Sequence, residues 1–164
     1  MTYLFDSNTF MEAARLYYHP EVAPGFWAWL IGDPMRDRIA SVPAVQEEIA
    51  NGEGELVDWA RNTVPDCFWR PVTPDTLRAA AELSTWATDP ARAYKQAAID
   101  EFLDSCDYWL IAEAHAAGLT VVTREVSAPE SRSRIKIPDV CRAFGIDCAQ
   151  PFPVYQRLGL RLQQ

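Results

Sequence analysis

The chain lacks the positive charge that would let it grip nucleic acid by bulk electrostatics. Its 15 lysines and arginines stand against 23 aspartates and glutamates, a net charge of −8 with an isoelectric point near 4.7. Binding to RNA or DNA would then have to go through metal ions, a local basic patch or a basic partner. A disulfide framework is also missing. Cys67, Cys106, Cys141 and Cys148 form no CxxC pair and do not sit in a short, loop-rich chain, so they read as reduced thiols. Their spacing relative to His19 and His115 fits no common structural zinc motif. No apolar run approaches the roughly 20 residues that span a bilayer, and no basic-then-apolar leader precedes the first strand. The expectation is a cytoplasmic protein, neither exported nor embedded. Repeats, low-complexity tracts and flexible linkers are absent too. What remains is 164 residues, 49% of them hydrophobic, enough for a single domain over residues 1–164.

The stretch that organises the chain is Tyr3-Leu4-Phe5-Asp6-Ser7-Asn8. A short apolar run ending in an acid reads as a buried strand, with Ser7 or Asn8 capping the helix that follows. Asp6 then stands at the carboxyl end of a strand, where open α/β sheets bind their ligands. Helical spacing continues from Thr9 to Tyr18 and is broken by His19-Pro20. Phe26 to Ile31 is a dense aromatic helical turn, read as core rather than as a base-stacking platform. Arg38 to Val42 is the next strand, and Pro43 opens a helix over Ala44 to Ala50. Val45 and Ile49 define its inward stripe; Glu48 borders the stripe and Glu47 points away.

Further helices are expected over Leu56–Arg61, Asp75–Ala87 and Arg92–Ser105, with Pro65–Pro71 as a connector. Asp107 is followed at helical spacing by Leu110, Ile111 and Ala114, so it lies on its own helix's apolar stripe. A carboxylate there costs stability unless it is paired or coordinates something; its other reading is a helix N-cap, shared with Ser105. After Gly118, Leu119 to Thr123 reads as a buried parallel strand ending in Thr123-Arg124-Glu125. Glu125 thus repeats the position of Asp6. A polar loop from Ser127 to Ser133, a helix over Asp139–Phe144, a short strand over Ile146–Ala149 and a helix from Pro153 to Gln164 complete the chain.

This alternation of strands and helices implies α/β architecture with a central parallel sheet and helices on both faces. In such a sheet Asp6, Glu48, Asp107 and Glu125 can meet on one rim. Clustered carboxylates repel, and a set of three or four stays ionised mainly when a hard cation such as Mg²⁺ or Mn²⁺ neutralises it. Such sites activate water for in-line displacement at phosphate, often with two ions about 3.5–4 Å apart. Asn8 would add a neutral oxygen or orient a ligating carboxylate.

The segments Leu4-Phe5-Asp6-Ser7-Asn8, Glu48-Ile49, Asp107-x-x-Leu110-Ile111-Ala112 and Val121-Val122-Thr123-Arg124-Glu125 resemble the PIN-domain ribonucleases. With Lys136-Ile137-Pro138-Asp139-Val140-Cys141 and Phe144-Gly145, the likeness covers nearly the whole chain and is closer to a PIN-like branch of bacterial toxins related to the VapC type. It implies a three-layer α/β/α PIN-like fold with a central parallel sheet of 4–5 strands. It places Asp6, Glu48 and Asp107 at the family's core metal-binding acids and Glu125 at a more variable fourth position, for which Asp104 is the substitute. It implies Mg²⁺- or Mn²⁺-dependent endoribonuclease activity on RNA, often tRNA, a homodimer, and a cognate antitoxin that blocks the site. Asn8 and Thr123 would orient ligands. Arg124, Arg132, Arg134 and Lys136 are the candidate RNA-gripping edge, against the plainer reading of a solvated loop.

A haloacid-dehalogenase-like phosphatase would need an Asp where this chain has Asn8, and a receiver-like phosphoacceptor would need a Lys after the strand at Leu119–Thr123. The rival from another class is a non-catalytic PIN-like module whose acidic rim holds a basic protein segment.

Overall fold

The computed structural model describes residues 1–162. Tyr3–Phe5 forms β1 and is buried throughout. It lies inside an all-parallel sheet of four strands in the order β2-β1-β3-β4, the others being β2 (Ile39–Ala40), β3 (Thr120–Val122) and β4 (Cys148–Ala149). Parallel strands covered on both faces read as continuous apolar runs rather than alternating ones. Leu4, Phe5, Val121 and Val122 accordingly have no exposed surface. The architecture is α/β with helical layers on either side of the sheet.

The helices are α1 (Ser7–Glu12), α2 (Pro24–Ile31), α3 (Pro43–Ala50), α4 (Glu55–Asp58), α5 (Pro74–Thr88), α6 (Gln96–Asp104), α7 (Cys106–Ala117), α8 (Ile137–Phe144) and α9 (Pro151–Arg157). Proline stands in the first turn of α2, α3, α5, α8 and α9, where its missing N–H costs nothing. Gly118, at φ 68°, ends α7 in the left-handed conformation. Among the described residues, no helix is long and apolar enough to cross a membrane.

The chain leaves β1 for β2 on one side and later returns to β3 on the other. The order of strands therefore reverses between β1 and β3, the point at which open α/β sheets form a ligand crevice beyond the strands' carboxyl ends. Leu4 pairs with Val121 and Phe5 with Val122. Continuing that register brings Asp6 beside Thr123.

Several element boundaries differ from the sequence expectation. Asp6 itself, not Ser7 or Asn8, caps α1. The helix expected over Thr9–Tyr18 starts at Ser7 and widens into a π-helical turn over Ala13–Tyr17. Another such turn, Trp59–Thr63, extends α4. The strand expected over Arg38–Val42 is only Ile39–Ala40, followed by a single bridge from Ser41 to Trp69. The expected Arg92–Ser105 helix begins at Gln96, because Pro90–Arg92 forms a 3₁₀ turn and Ala93 then takes a left-handed conformation. The Pro65–Pro71 connector contains a 3₁₀ turn at Asp66–Phe68. The final helix is Pro151–Arg157 rather than Pro153–Gln164, and Gln163 and Gln164 lie outside the described residues. Phe26 and Trp27 are buried, Tyr18 stacks on Phe26 at 4.3 Å, and these rings are core.

Candidate functional site

Asp6 stands fully buried just past the carboxyl end of β1. Its backbone leaves β1 extended, at φ −74° and ψ 164°, and its side chain turns back to accept the amide of Thr9 at 2.7 Å. The other carboxylate oxygen accepts the Thr123 hydroxyl at 2.6 Å. Thr9 also lies against β3, its hydroxyl 3.4 Å from the Val122 carbonyl. These bonds oppose the cost of enclosing the carboxyl but do not cancel it. Burial, with a smaller contribution from Glu125, pushes Asp6 up to about 6.

Asp107 enters from the first turn of α7. Ser105 takes the capping position there without a side-chain bond, so the N-cap reading does not describe Asp107. Burial raises its carboxyl to about 7, helped by the negative fields of Asp6, Glu125 and Glu48. Those three acids belong to β1's end, the loop after β3, and α3. They are therefore the charges that Asp107 feels across the crevice, whereas Asp104 is exposed at the end of α6.

Glu48 points toward this group from α3, as its helix phase implies. One of its oxygens accepts the Cys106 thiol at 2.7 Å. Glu47 lines a different pocket, with Arg70 and Trp109. Cys106 also approaches Ser7 Oγ at 3.5 Å and Asp107 Oδ1 at 3.7 Å. Burial and then the neighbouring carboxylates push that thiol well above its ordinary range. It is an S–H donor that holds acids in place, not a thiolate nucleophile.

Glu125 accepts the amide of Ile137 at 2.8 Å, which ties it to the start of α8, while its own amide donates to Thr123 Oγ1 at 3.1 Å. Between Asp107 and Glu125 lies a cavity of about 30 Å³, with Glu101 and Arg134 also on its walls. That is room for a water or a small ion. Glu125 also borders a depression of about 370 Å³ at the ends of β3 and β4.

The remaining candidates are dispersed. Asn8 is exposed on α1, and Thr9 and Thr123 rather than Asn8 hold Asp6. Arg124 turns away to Glu12 and Tyr17, at 2.9 and 2.7 Å. Arg132 donates to its own loop carbonyls at Pro129 and Ser131. Arg134 lies 3.8 Å from Glu101, and Lys136 is half-buried at the start of α8. The four bases thus do not form one edge. His115 pairs with Glu82 at 2.8 Å, on α7 away from its acidic first turn.

Sequence reasoning missed Ser7, Thr9, Cys106 and Glu101. Cys106 had a signal: it adjoins Asp107 and precedes Leu110 by one helical turn, so it had to face the same interior.

Among the described residues, no three His, Cys, Asp or Glu side chains are gathered closely enough to hold a metal between them. The donor chemistry nevertheless suits a hard divalent cation. Four of the charged groups are oxygen acids, two of them raised by burial and the charge of neighbouring acids, and a small polar cavity separates Asp107 from Glu125, with the Arg134 cation sharing its wall.

Fold and site together define an all-parallel α/β protein with an acidic crevice at the point where strand order reverses. A profile of the family described as a domain of unknown function, DUF4411, matches residues 3–162, and the chain belongs to that family. No curated protein and no solved structure matches it.

Proposed function

We propose that this protein is a metal-dependent endoribonuclease, the toxin of a bacterial type II toxin–antitoxin pair, acting in the cytoplasm. The observation that carries the reading is that the charges of Asp6, Glu125 and Glu48, from three other elements, all reach Asp107, and that burial pushes Asp6 up to about 6 and Asp107 up to about 7. To hold Mg²⁺ or Mn²⁺, Asp6, Asp107, Glu48 and Glu125 would have to draw closer together than they stand here. When bound, such an ion lowers the pKa of water and neutralises charge at a phosphodiester. Thr123 and the Thr9 amide fix the Asp6 carboxylate. The Cys106 thiol orients Glu48, and the α8 terminus orients Glu125. The depression of about 370 Å³ beside Glu125 has room for a nucleotide unit. The resemblance to PIN-like toxins supplies RNA as substrate, a homodimer as assembly and an antitoxin as partner.

The test is incubation of total cellular RNA with the purified chain and Mg²⁺ or Mn²⁺. Discrete fragments that vanish with EDTA and in Asp107→Asn support the reading. Intact RNA with either ion, from folded protein free of antitoxin, rejects it. One feature favours a second reading, a module that binds a basic protein segment: both Asp6 oxygens are already engaged within the fold, leaving the outer acids for Arg or Lys. Cleavage separates the two.

A further inference from the structure

Against the acidic balance of the chain, three arginines converge on one pocket. Arg92, Arg132 and Arg142 line a space of about 320 Å³ together with Trp86, Tyr94 and Asp139. They come from the 3₁₀ turn after α5, the loop before α8, and α8 itself. Among the described residues, none of the three guanidiniums is bridged to a carboxylate. The one carboxylate on the wall, Asp139, spends its oxygens on the Ser127 hydroxyl and the Ala128 amide. Asp139 offsets one of the three positive charges and leaves the pocket with a net positive balance, which an anion would relieve.

The pocket is also aromatic. Arg92 lies over the Trp86 ring at 5.2 Å, and Tyr94 packs 5.8 Å from the same ring, inclined at 57°. The indole N–H of Trp86 is buried without a hydrogen-bond partner among the described residues. Between Arg92 and Tyr94 the backbone at Ala93 has φ 57°, a left-handed conformation that a non-glycine residue adopts only at a cost. That turn brings the flanking side chains into one pocket. Guanidiniums with aromatic faces are the surface that receives a base and its phosphate.

The position is suggestive as well. Glu125 borders both the small acidic cavity and the depression of about 370 Å³, and Arg142 borders both that depression and this pocket. Glu125 and Arg142 thus each form a wall between neighbouring spaces.

We propose that the pocket of Trp86, Tyr94, Arg92, Arg132 and Arg142 is a nucleotide-binding subsite that takes one base-and-phosphate unit of a single-stranded RNA. The strand as ligand rests on the ribonuclease reading; the nucleotide chemistry rests on the pocket. A free nucleotide offers the same groups, so the test has an arm for each source.

The test uses Asp107→Asn in EDTA, where cleavage plays no part, and follows the anisotropy of a fluorescent single-stranded RNA oligonucleotide. Arg132→Ala with Arg142→Ala should weaken binding about tenfold and lower the log–log salt slope by about 0.7, the contribution of the one phosphate held. Trp86→Leu should cost about tenfold in affinity but leave the salt slope unchanged. Because Trp86 is half-buried, circular dichroism must show that variant folded; the two exposed arginines give the independent arm. AMP and ATP serve as competitors. Displacement of the oligonucleotide at micromolar AMP identifies a free-nucleotide site, and displacement only by unlabelled strand identifies an RNA subsite. Binding unchanged in the arginine double variant, or no binding of either probe, overturns the inference. Cleavage by wild-type protein with Mg²⁺ is scored separately, so a failed subsite and a failed nuclease reading are told apart.

Discussion

At the scale of residues, the crevice is a balance between enclosure and hydrogen bonding, and Thr123 is its most economical probe. Its hydroxyl donates to Asp6 at 2.6 Å in a fully buried setting. Thr123→Val removes that donor and should destabilise the fold by about 1–3 kcal/mol, read from urea unfolding, while Thr123→Ser should recover most of it. Asp6 and Asp107 make a second, signed prediction. Both are raised above the ordinary value of 3.8, to about 6 and about 7. The folded chain therefore holds more protons than the unfolded chain across that interval. Their contribution to stability is present in full below pH 3.8 and is lost as pH rises through 6 and 7. For Asp6 the loss is roughly 3 kcal/mol. In EDTA, melting temperature should carry a falling component between pH 4 and pH 7.5, and Asp107→Asn should flatten it and raise the midpoint at neutral pH. A wild-type chain no less stable than Asp107→Asn at pH 7.5 would show that these carboxyls are not strained.

At the scale of elements, Glu125 has two separable tasks. It holds the first amide of α8 and presents charge to Asp107. Glu125→Gln keeps an acceptor and should preserve stability while reducing cleavage; Glu125→Ala should also cost about 1 kcal/mol, as loss of a helix cap does. Equal melting temperatures for the two variants would remove the capping role. The same scale shows what could be read from sequence. The strand end at Asp6 was legible because an apolar run that stops at an acid has one physical reading in a parallel sheet, whereas Glu125 does not repeat its position: β3 ends at Val122, the register sets Thr123 beside Asp6, and Glu125 stands in the loop beyond. Glu48 was legible from helix phase, since Val45 and Ile49 are buried as the stripe requires. The cap at Asp6 was missed because Ser7 and Asn8 satisfy the same local rule, and only the pairing of β1 with β3 decides among them. Scattering of Arg124, Arg132, Arg134 and Lys136 was not legible, because a loop without periodicity gives no direction to its side chains. The arginine pocket was hidden for the complementary reason: Arg92 is far in sequence from Arg132 and Arg142 and meets them only through the packing of the loop between β3 and α8.

At the scale of the whole molecule, a chain of net charge −8 concentrates part of its acidity in the interior of one crevice and sets a cluster of arginines on an adjoining face. That separation of charge suits a substrate held by its phosphates at one place and met by a cation at another. The claim on which this rests is that the acidic crevice binds a divalent cation, and calorimetric titration of Mn²⁺ into the metal-free chain at pH 6.5 tests it most directly. Because Asp6 and Asp107 are partly protonated at that pH, binding should release protons, seen as a heat that changes with the ionisation enthalpy of the buffer. Both the binding and the buffer dependence should disappear in Asp6→Asn and Asp107→Asn. Absence of saturable Mn²⁺ binding at millimolar concentration, or binding that persists unchanged in both variants, would contradict it.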